Sequence, residues 1–424
     1  MSDFNGWKIL HIHLNEGIYP LSLYPNYEGL YVVFWWYNIP LGDSKILATE
    51  LPMSAIQVQN LAARRIIPAV STYISQSGIS SYRKEDVLEF SVLTNLEKPL
   101  RRIYQLQPKP TEYSISIIVP TCNRPERLAT CLQSLQNLSQ RPHEILVVDN
   151  YPSLDATRQL LEQMPDMRYI AEPQPGASIA RNTGVEYATG DIVAFIDDDM
   201  TAHPDWLTKI QQNFAEPEVM AVTGLVLPGE LATEAQLMFE EYWSFNKGFS
   251  RLNYDSEFIA KTKKHGIPVW VMGGSGNMAI RRQTFKLLGG FDTRLGAGPK
   301  AAGCSEDSEL FYRLVSEGLL CRYEPTAVAY HFHRSDINSF KKQAFGYMRG
   351  HVAALLIQFE KYHHWGNIRR LLTTLPKFYT KLWLKGLLKG FQPRHTTLYA
   401  ELAGCFSGVS FYFKNKLSPH NLGQ

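Results

Sequence analysis

Three aspartates stand in a row at Asp197, Asp198 and Asp199, directly after the apolar run of GDIVAFI. Two carboxylates about 4 Å apart disfavour each other by roughly 4 kcal/mol at an effective dielectric near 20, so a fold that keeps them together needs a cation or full solvation. A capped turn explains one such acid, because Asp is common at the ends of elements; three exceed what a cap requires. Hard carboxylate oxygens suit Mg2+ or Mn2+, which are held by few protein ligands and complete their shell with water or phosphate oxygens. A metal-bound diphosphate is the natural partner. A second acidic group, Ser305-Glu306-Asp307, precedes Leu310, Phe311, Leu314 and Val315 at helical spacing. Taken alone, it reads as acids stabilising a helix's first turn by about 0.3–1 kcal/mol. His331 and His333 lie two apart, on one face if their strand continues. Gly273, Gly274 and Gly276 precede an alternating run, but no Gly-Lys-Ser/Thr follows, which excludes a phosphate-binding P-loop and leaves a glycine turn permitting positive φ.

The elements that must position these groups are legible in outline. From Ser114, short apolar runs (ISIIVP, EILVVDN, MRYIAEP, DIVAFIDDD) alternate with helical patterns (RPERLATCLQSLQNL, SLDATRQLLEQM, GASIARNTGVEYATG). That rhythm predicts βαβ units and a mostly parallel sheet flanked by helices, an α/β fold whose ligands collect at the carboxyl ends of the strands. Thr121, Asn123, Asp149, Asn150 and Asp197 to Asp199 fall at those ends. Ahead of this lies a small α+β unit, residues 1–108. In it, GLYVVFWWYNIPLGD reads as a β-rich run up to a Pro and Gly turn, followed by a helix in SAIQVQNLAARRIIPAV. LQPKPTEYS, Leu106 to Ser114, reads as the linker to a second unit over 114–335. The remainder, 336–424, is helical, with Phe340, Ala344, Met348, Val352, Leu355 and Phe359 on one face.

IIVPTCNRPERLATCLQSL, EILVVDN, GASIARNTGVEYATGDIVAFIDDD, GGSGNMAIRR and GGFDTRLG...SEDSELFYRL, in this order over Ser114 to Arg334, together resemble an inverting family 2 glycosyltransferase of the A-type fold, of bacterial kind. The resemblance implies a donor sugar carried on a nucleoside diphosphate, UDP first among them, with Mn2+ or Mg2+ as cofactor and a glycan or lipid-linked glycan as acceptor. It implies that Pro120, Thr121 and Arg124 line the base pocket and that Asp149 accepts a hydrogen bond from base or ribose. Without it, Asp149 and Asn150 form an Asx turn before Pro152. Arg181, with Asn182, would approach the diphosphate. Asp197 corresponds to the aspartate near the ribose, within reach of the metal, Asp199 to the metal ligand, and Asp198 shares either role. Gly274, Ser275 and Asn277 would lie beside donor sugar and acceptor. Asp307 aligns with the base that deprotonates the acceptor hydroxyl, with Glu306 in reserve. His331 would be a further metal or diphosphate ligand, and His333 the alternative.

From Lys361 onward ten lysines and arginines face a single acid, Glu401. PKFYTKLWLKGLLKGFQP, with Pro376 suiting a helix start and Gly390 its stop, reads equally as a basic helix lying on an anionic membrane through residues 376–391 or as a helix docked on the protein with its lysines in water. A net charge of only +3 and no recognised module argue against nucleic acid. Five scattered cysteines, no signal-like start and no apolar run of about 20 residues fit a cytoplasmic protein, at most peripheral on the inner face of the plasma membrane. Two rivals remain. One is a catalytically inactive nucleotide-sugar or carbohydrate-binding scaffold, which has no need of the Asp307 set. The other is a sugar-nucleotide pyrophosphorylase, which would start on a glycine-rich loop where this chain has PTCNRPE.

Overall fold

The computed structural model describes residues 4–76, 93–105, 111–153 and 155–416. Of the linker expected over Leu106 to Ser114, residues 106–110 lie outside the described residues, and so does the boundary at 108. Strands β1 (Trp7–His13), β2 (Gly29–Trp36) and β3 (Ile39–Leu47) form a three-stranded sheet in that order, β1 parallel and β3 antiparallel to β2. The hairpin turns at Tyr37 and Asn38, not at the Pro and Gly; Pro40 and Gly42 lie inside β3. An edge strand tolerates a proline because one row of its N–H groups has no ladder partner to lose.

Period-2 alternation explains why every residue of β2 is buried. Leu30, Val32, Phe34 and Trp36 face the helix Ala55–Gln76, while Tyr31, Val33 and Trp35 join the core that continues into the second, larger sheet. Trp35 stacks between His13 and His203, at 6.0 and 5.5 Å between ring centroids, and Trp7 N–H donates to the Leu231 carbonyl at 2.7 Å. The N-terminal unit is therefore fused to the second unit through a shared core. An aromatic-rich strand with two apolar faces needs a cover on each side.

The second sheet has nine strands: β4 (Ile115–Thr121), β5 (Glu144–Asn150), β6 (Met167–Glu172), β7 (Ile192–Ile196), β8 (Met200–Ala202), β9 (Val219–Pro228), β10 (Leu252–Tyr254), β11 (Asn277–Arg281) and β12 (Leu320–His331). Their order is β10-β12-β9-β11-β7-β4-β5-β6, with β8 paired to β12. β12, β9, β7, β4, β5 and β6 run one way; β11, inserted between β7 and β9, runs against them, as do β10 and β8. β7 is buried throughout, which is why it reads as an unbroken apolar run.

Behind the sheet, helix Ile337–Tyr362 packs against helix Leu398–Lys414. Gly404 and Gly408, one turn apart, permit the close crossing: a Cβ on them would meet the carbonyls of Phe345 and Arg349 at 2.4 and 2.5 Å. The same long helix presses Gly350 onto Cys304, where a Cβ would sit 2.3 Å from the carbonyl, and so braces the loop that leads into Glu306. Pro376 falls in the first turn of helix Leu375–Lys389, as expected, but that helix does not begin from a loop. The chain is helical from Trp365 through a π segment, Arg370–Thr374, into Leu375–Lys389, and the wider turn ahead of the proline accommodates its missing N–H.

Candidate active site at the carboxyl edge of the sheet

Each of the three aspartates meets a cation. Asp197 accepts from Arg181 at 2.6 Å. Asp198 turns inward, where the Thr121 hydroxyl donates to it at 2.7 Å and Arg124 approaches at 2.9 Å. Asp199 pairs with Arg124 at 3.1 Å and faces His331 Nε2 at 3.4 Å. Burial pushes Asp198 up to about 7, against the pull of Arg124 and with the push of Asp199. Asp199 goes the other way: burial would raise it, but His331 and Arg124 outweigh burial and hold it ionised well below the usual carboxylate range. Thr121 and Arg124, expected at the base pocket with Pro120, thus spend their polar groups on the aspartates. Pro120 is buried within β4.

Arg181, 4% exposed on helix Ala177–Tyr187, joins the two acidic motifs: one guanidinium nitrogen meets Asp197 and another meets Glu306 at 2.9 Å. Expected beside a diphosphate, it is committed instead to these two carboxylates. Glu306 is buried, and burial raises its pKa to about 7, opposed by Arg181 and assisted by Asp307. Asp307 is more open. Its oxygens accept from the Ser275 and Ser308 backbone N–H groups at 3.2 and 2.5 Å; burial raises its pKa, and those two amides work against the rise. Ser305, directly before the pair, holds φ at 75°, a left-handed conformation that costs about 1–2 kcal/mol outside glycine and aims the first turn of helix Glu306–Ser316 at the cleft.

The glycine cluster contributes closeness more than backbone freedom: only Gly273 has positive φ, at 124°. A Cβ on Gly274 would lie 3.3 Å from Asp307 Oδ2, and one on Gly276 would lie 2.9 Å from Asp197 Oδ2. These glycines bring the backbone between the two acidic motifs. Asn277 does not face a sugar. Its amide donates to the Leu225 and Ala327 carbonyls at 3.0 and 2.9 Å and accepts from the Trp206 indole at 2.8 Å, tying β11 to its neighbours. Asn182 is likewise spent on the Phe291 backbone, donating and accepting at 2.9 Å.

At the far side of the edge, Asp149 is buried; Tyr169 donates to its Oδ2 at 3.2 Å, and Oδ1 makes no close hydrogen bond among the described residues, with the Thr157 hydroxyl near enough to favour the ionised carboxylate. A buried acceptor left open is costly unless something fills it, which suits a base N–H or ribose hydroxyl. His331 and His333 share a hydrogen bond between their Nδ1 atoms at 2.6 Å, and His333 Nε2 reaches Glu240 at 3.4 Å. The pair therefore has a direction: His331 points to Asp199, His333 away from it. Glu240, on helix Glu234–Tyr242, belongs to no motif and gave no signal in the sequence. Among the described residues no three His, Cys, Asp or Glu side chains converge as a metal cage. Asp199 and His331 offer one oxygen and one nitrogen, a donor set that fits Mn2+ or Mg2+ held by few protein groups together with phosphate oxygens.

Residues 116–285 match the family model described as Glycosyl transferase family 2. The chain carries a family 2 glycosyltransferase domain. It is 24% identical over 233 residues to the pre-mycofactocin glycosyltransferase of Mycobacterium tuberculosis, covering 54% of this chain and 45% of that one. It is 30% identical over 226 residues to the succinoglycan biosynthesis protein ExoM of Rhizobium meliloti, covering 50% of this chain and 65% of that one. The chain spans about half the length of the curated relatives it matches. Among solved structures it resembles a mannosyltransferase from Pyrobaculum calidifontis in complex with GDP-Man and Mn2+, with TM-score 0.48 and 17% identity over 81% of this chain and 99% of that one.

Proposed function

We propose that the protein is an inverting glycosyltransferase that moves a sugar from a nucleoside-diphosphate donor, a UDP-sugar first among the candidates, to a hydroxyl of a glycan or lipid-linked glycan acceptor. The observation that carries this reading is Arg181, whose two contacts bring the triple aspartate and the Glu306-Asp307 pair, far apart in sequence, onto one edge of the sheet. Asp149, with its open Oδ1, reads the nucleoside. Asp199 and His331 would hold a divalent cation, whose Lewis acidity would offset charge on the departing diphosphate. Asp307 accepts the acceptor's proton as its oxygen attacks the anomeric carbon. Glu306 is the weaker candidate for that role, because its carboxylate is engaged by Arg181. A carboxyl whose pKa burial raises, as it does for Asp307, is the better proton acceptor while it remains ionised.

The test is donor hydrolysis with a panel of nucleotide sugars in the presence of Mn2+ or Mg2+. Free nucleoside diphosphate is expected from one donor class and is lost in Asp307→Asn, with donor binding retained. Binding without turnover across the panel would return the protein to the scaffold reading.

A further inference from the structure

Helix Leu375–Lys389 touches the rest of the protein along one narrow line, where Leu375, Tyr379 and Gly386 are its buried residues. Leu382 is half-buried beside them, and the rest of the helix faces outward, including Trp383, Leu384, Leu387 and Leu388, the last 84% exposed. Lys377, Lys381, Lys385 and Lys389 recur every turn, and with Leu384 and Leu388 they line one shallow groove along the outer face. Among the described residues no carboxylate pairs with these four lysines. Glu401 is the one acid between Lys361 and Lys416, and it is buried with both oxygens taken by Arg394, at 2.6 and 2.9 Å.

We propose that this face seats the protein on an anionic lipid bilayer, with the helix lying in the interface plane. Leucines and tryptophan would enter the acyl boundary while the lysine stems run beside them and carry the ammonium groups back to lipid phosphates. Among the described residues no helix is long and apolar enough to cross a membrane, so this segment would lie on the bilayer and not span it. A second copy of the chain is the other occupant that could cover these side chains. A two-fold contact, however, sets a patch against itself, and here that would bring four lysines against four lysines. The proposal is independent of the donor chemistry.

The experiment is flotation of the full chain with vesicles of phosphatidylcholine alone or mixed with phosphatidylglycerol, accompanied by sedimentation equilibrium. Two variants are compared: Lys377→Gln, Lys381→Gln, Lys385→Gln and Lys389→Gln together, and Leu384→Ser with Leu388→Ser. Both change only exposed side chains, and unchanged thermal melts establish that they fold. The wild type is expected to float with the anionic vesicles and to be released by salt. Since each lysine near such a surface contributes about fivefold to partitioning, the quadruple variant should lose at least a hundredfold; the serine variant should lose at least tenfold. Absence of flotation at low salt, or flotation unchanged in both variants, overturns the proposal. So does a concentration-dependent dimer that Leu384→Ser with Leu388→Ser abolishes.

Discussion

Replacing Arg181 with Met tests whether the two acidic motifs are held together electrostatically. The change removes a buried cation that touches Asp197 and Glu306, and it leaves a chain of similar length against Phe291. Asp197 keeps about a third of its side-chain surface in water (31%), so its unpaired charge costs about 1 kcal/mol. Glu306 is different. Its pKa stands at about 7 with Arg181 present, so loss of the cation moves it higher still. A carboxyl with a raised folded pKa holds a proton that the unfolded chain has released. Its contribution is intact below the unfolded value, near 4.5, and drains away as pH rises toward the folded one. Wild type and variant both keep Glu306 protonated at pH 6, so the variant should lose only the Asp197 share, about 1 kcal/mol. At pH 8 the wild-type carboxylate is ionised and paired while the variant's is not, and each unit of further upward shift adds about 1.4 kcal/mol, for a total of about 2–3 kcal/mol. Urea unfolding at the two pH values measures this. Glu306→Gln in the Arg181→Met background should recover the pH-dependent part. A penalty equal at pH 6 and 8, or no recovery in the double variant, refutes the pairing as the link between the motifs.

Two further outcomes are expected. His333→Phe should weaken Mn2+ binding in the presence of the nucleoside diphosphate by about 10–100-fold in calorimetry, because His333 and Glu240 fix the ring of His331; His331→Phe should weaken it at least as much, and an unchanged His333→Phe would free His331 from that support. Burial, helped by the neighbouring Arg370, holds His351 down to about 3 where it accepts from Arg370 at 3.1 Å. A histidine kept neutral in the fold charges only on unfolding, so stability falls as pH drops below about 6.5. By pH 5 the loss should be about 2 kcal/mol, and most of that acid sensitivity should disappear in His351→Gln, read from urea midpoints at pH 7 and 5.

What could be read in advance divides by the range of the interaction. β4, β5, β6 and β7, and the helices between them, follow from local periodicity, and so does the helix opening at Glu306. The strands that run against the others were less legible: β8 and β10 have three residues each, and although the alternation of β11 was visible after the glycine cluster, its place between β7 and β9, from far along the chain, was not. The outer face of β2 was equally silent, since alternation announces a buried face but not what covers it. Site residues divide the same way. The aspartates, Glu306 and Asp307 stood out by type and adjacency, whereas Asn182 and Asn277 were placed near the ligands by their motifs and are used up in backbone contacts. Asparagine satisfies carbonyls and amides as readily as sugars, so its type alone does not choose between the two.

The same contrast explains how three adjacent carboxylates are tolerated. The strand stops at Ile196, and the three aspartates enter a turn closed by the Met200 N–H donating to the Asp197 carbonyl at 3.0 Å, so their side chains diverge to different partners. Asp198 turns under the edge to Thr121 and Arg124, where burial leaves it half protonated near neutrality, so the row carries less charge than its composition implies. Asp197 and Asp199 point to different partners, Arg181 on one side and Arg124 with His331 on the other. The middle acid thus relieves repulsion while the outer two stay available to the cleft. Replacing Asp198 with Asn should therefore disturb the edge least of the three, although it removes the most buried carboxylate of the row.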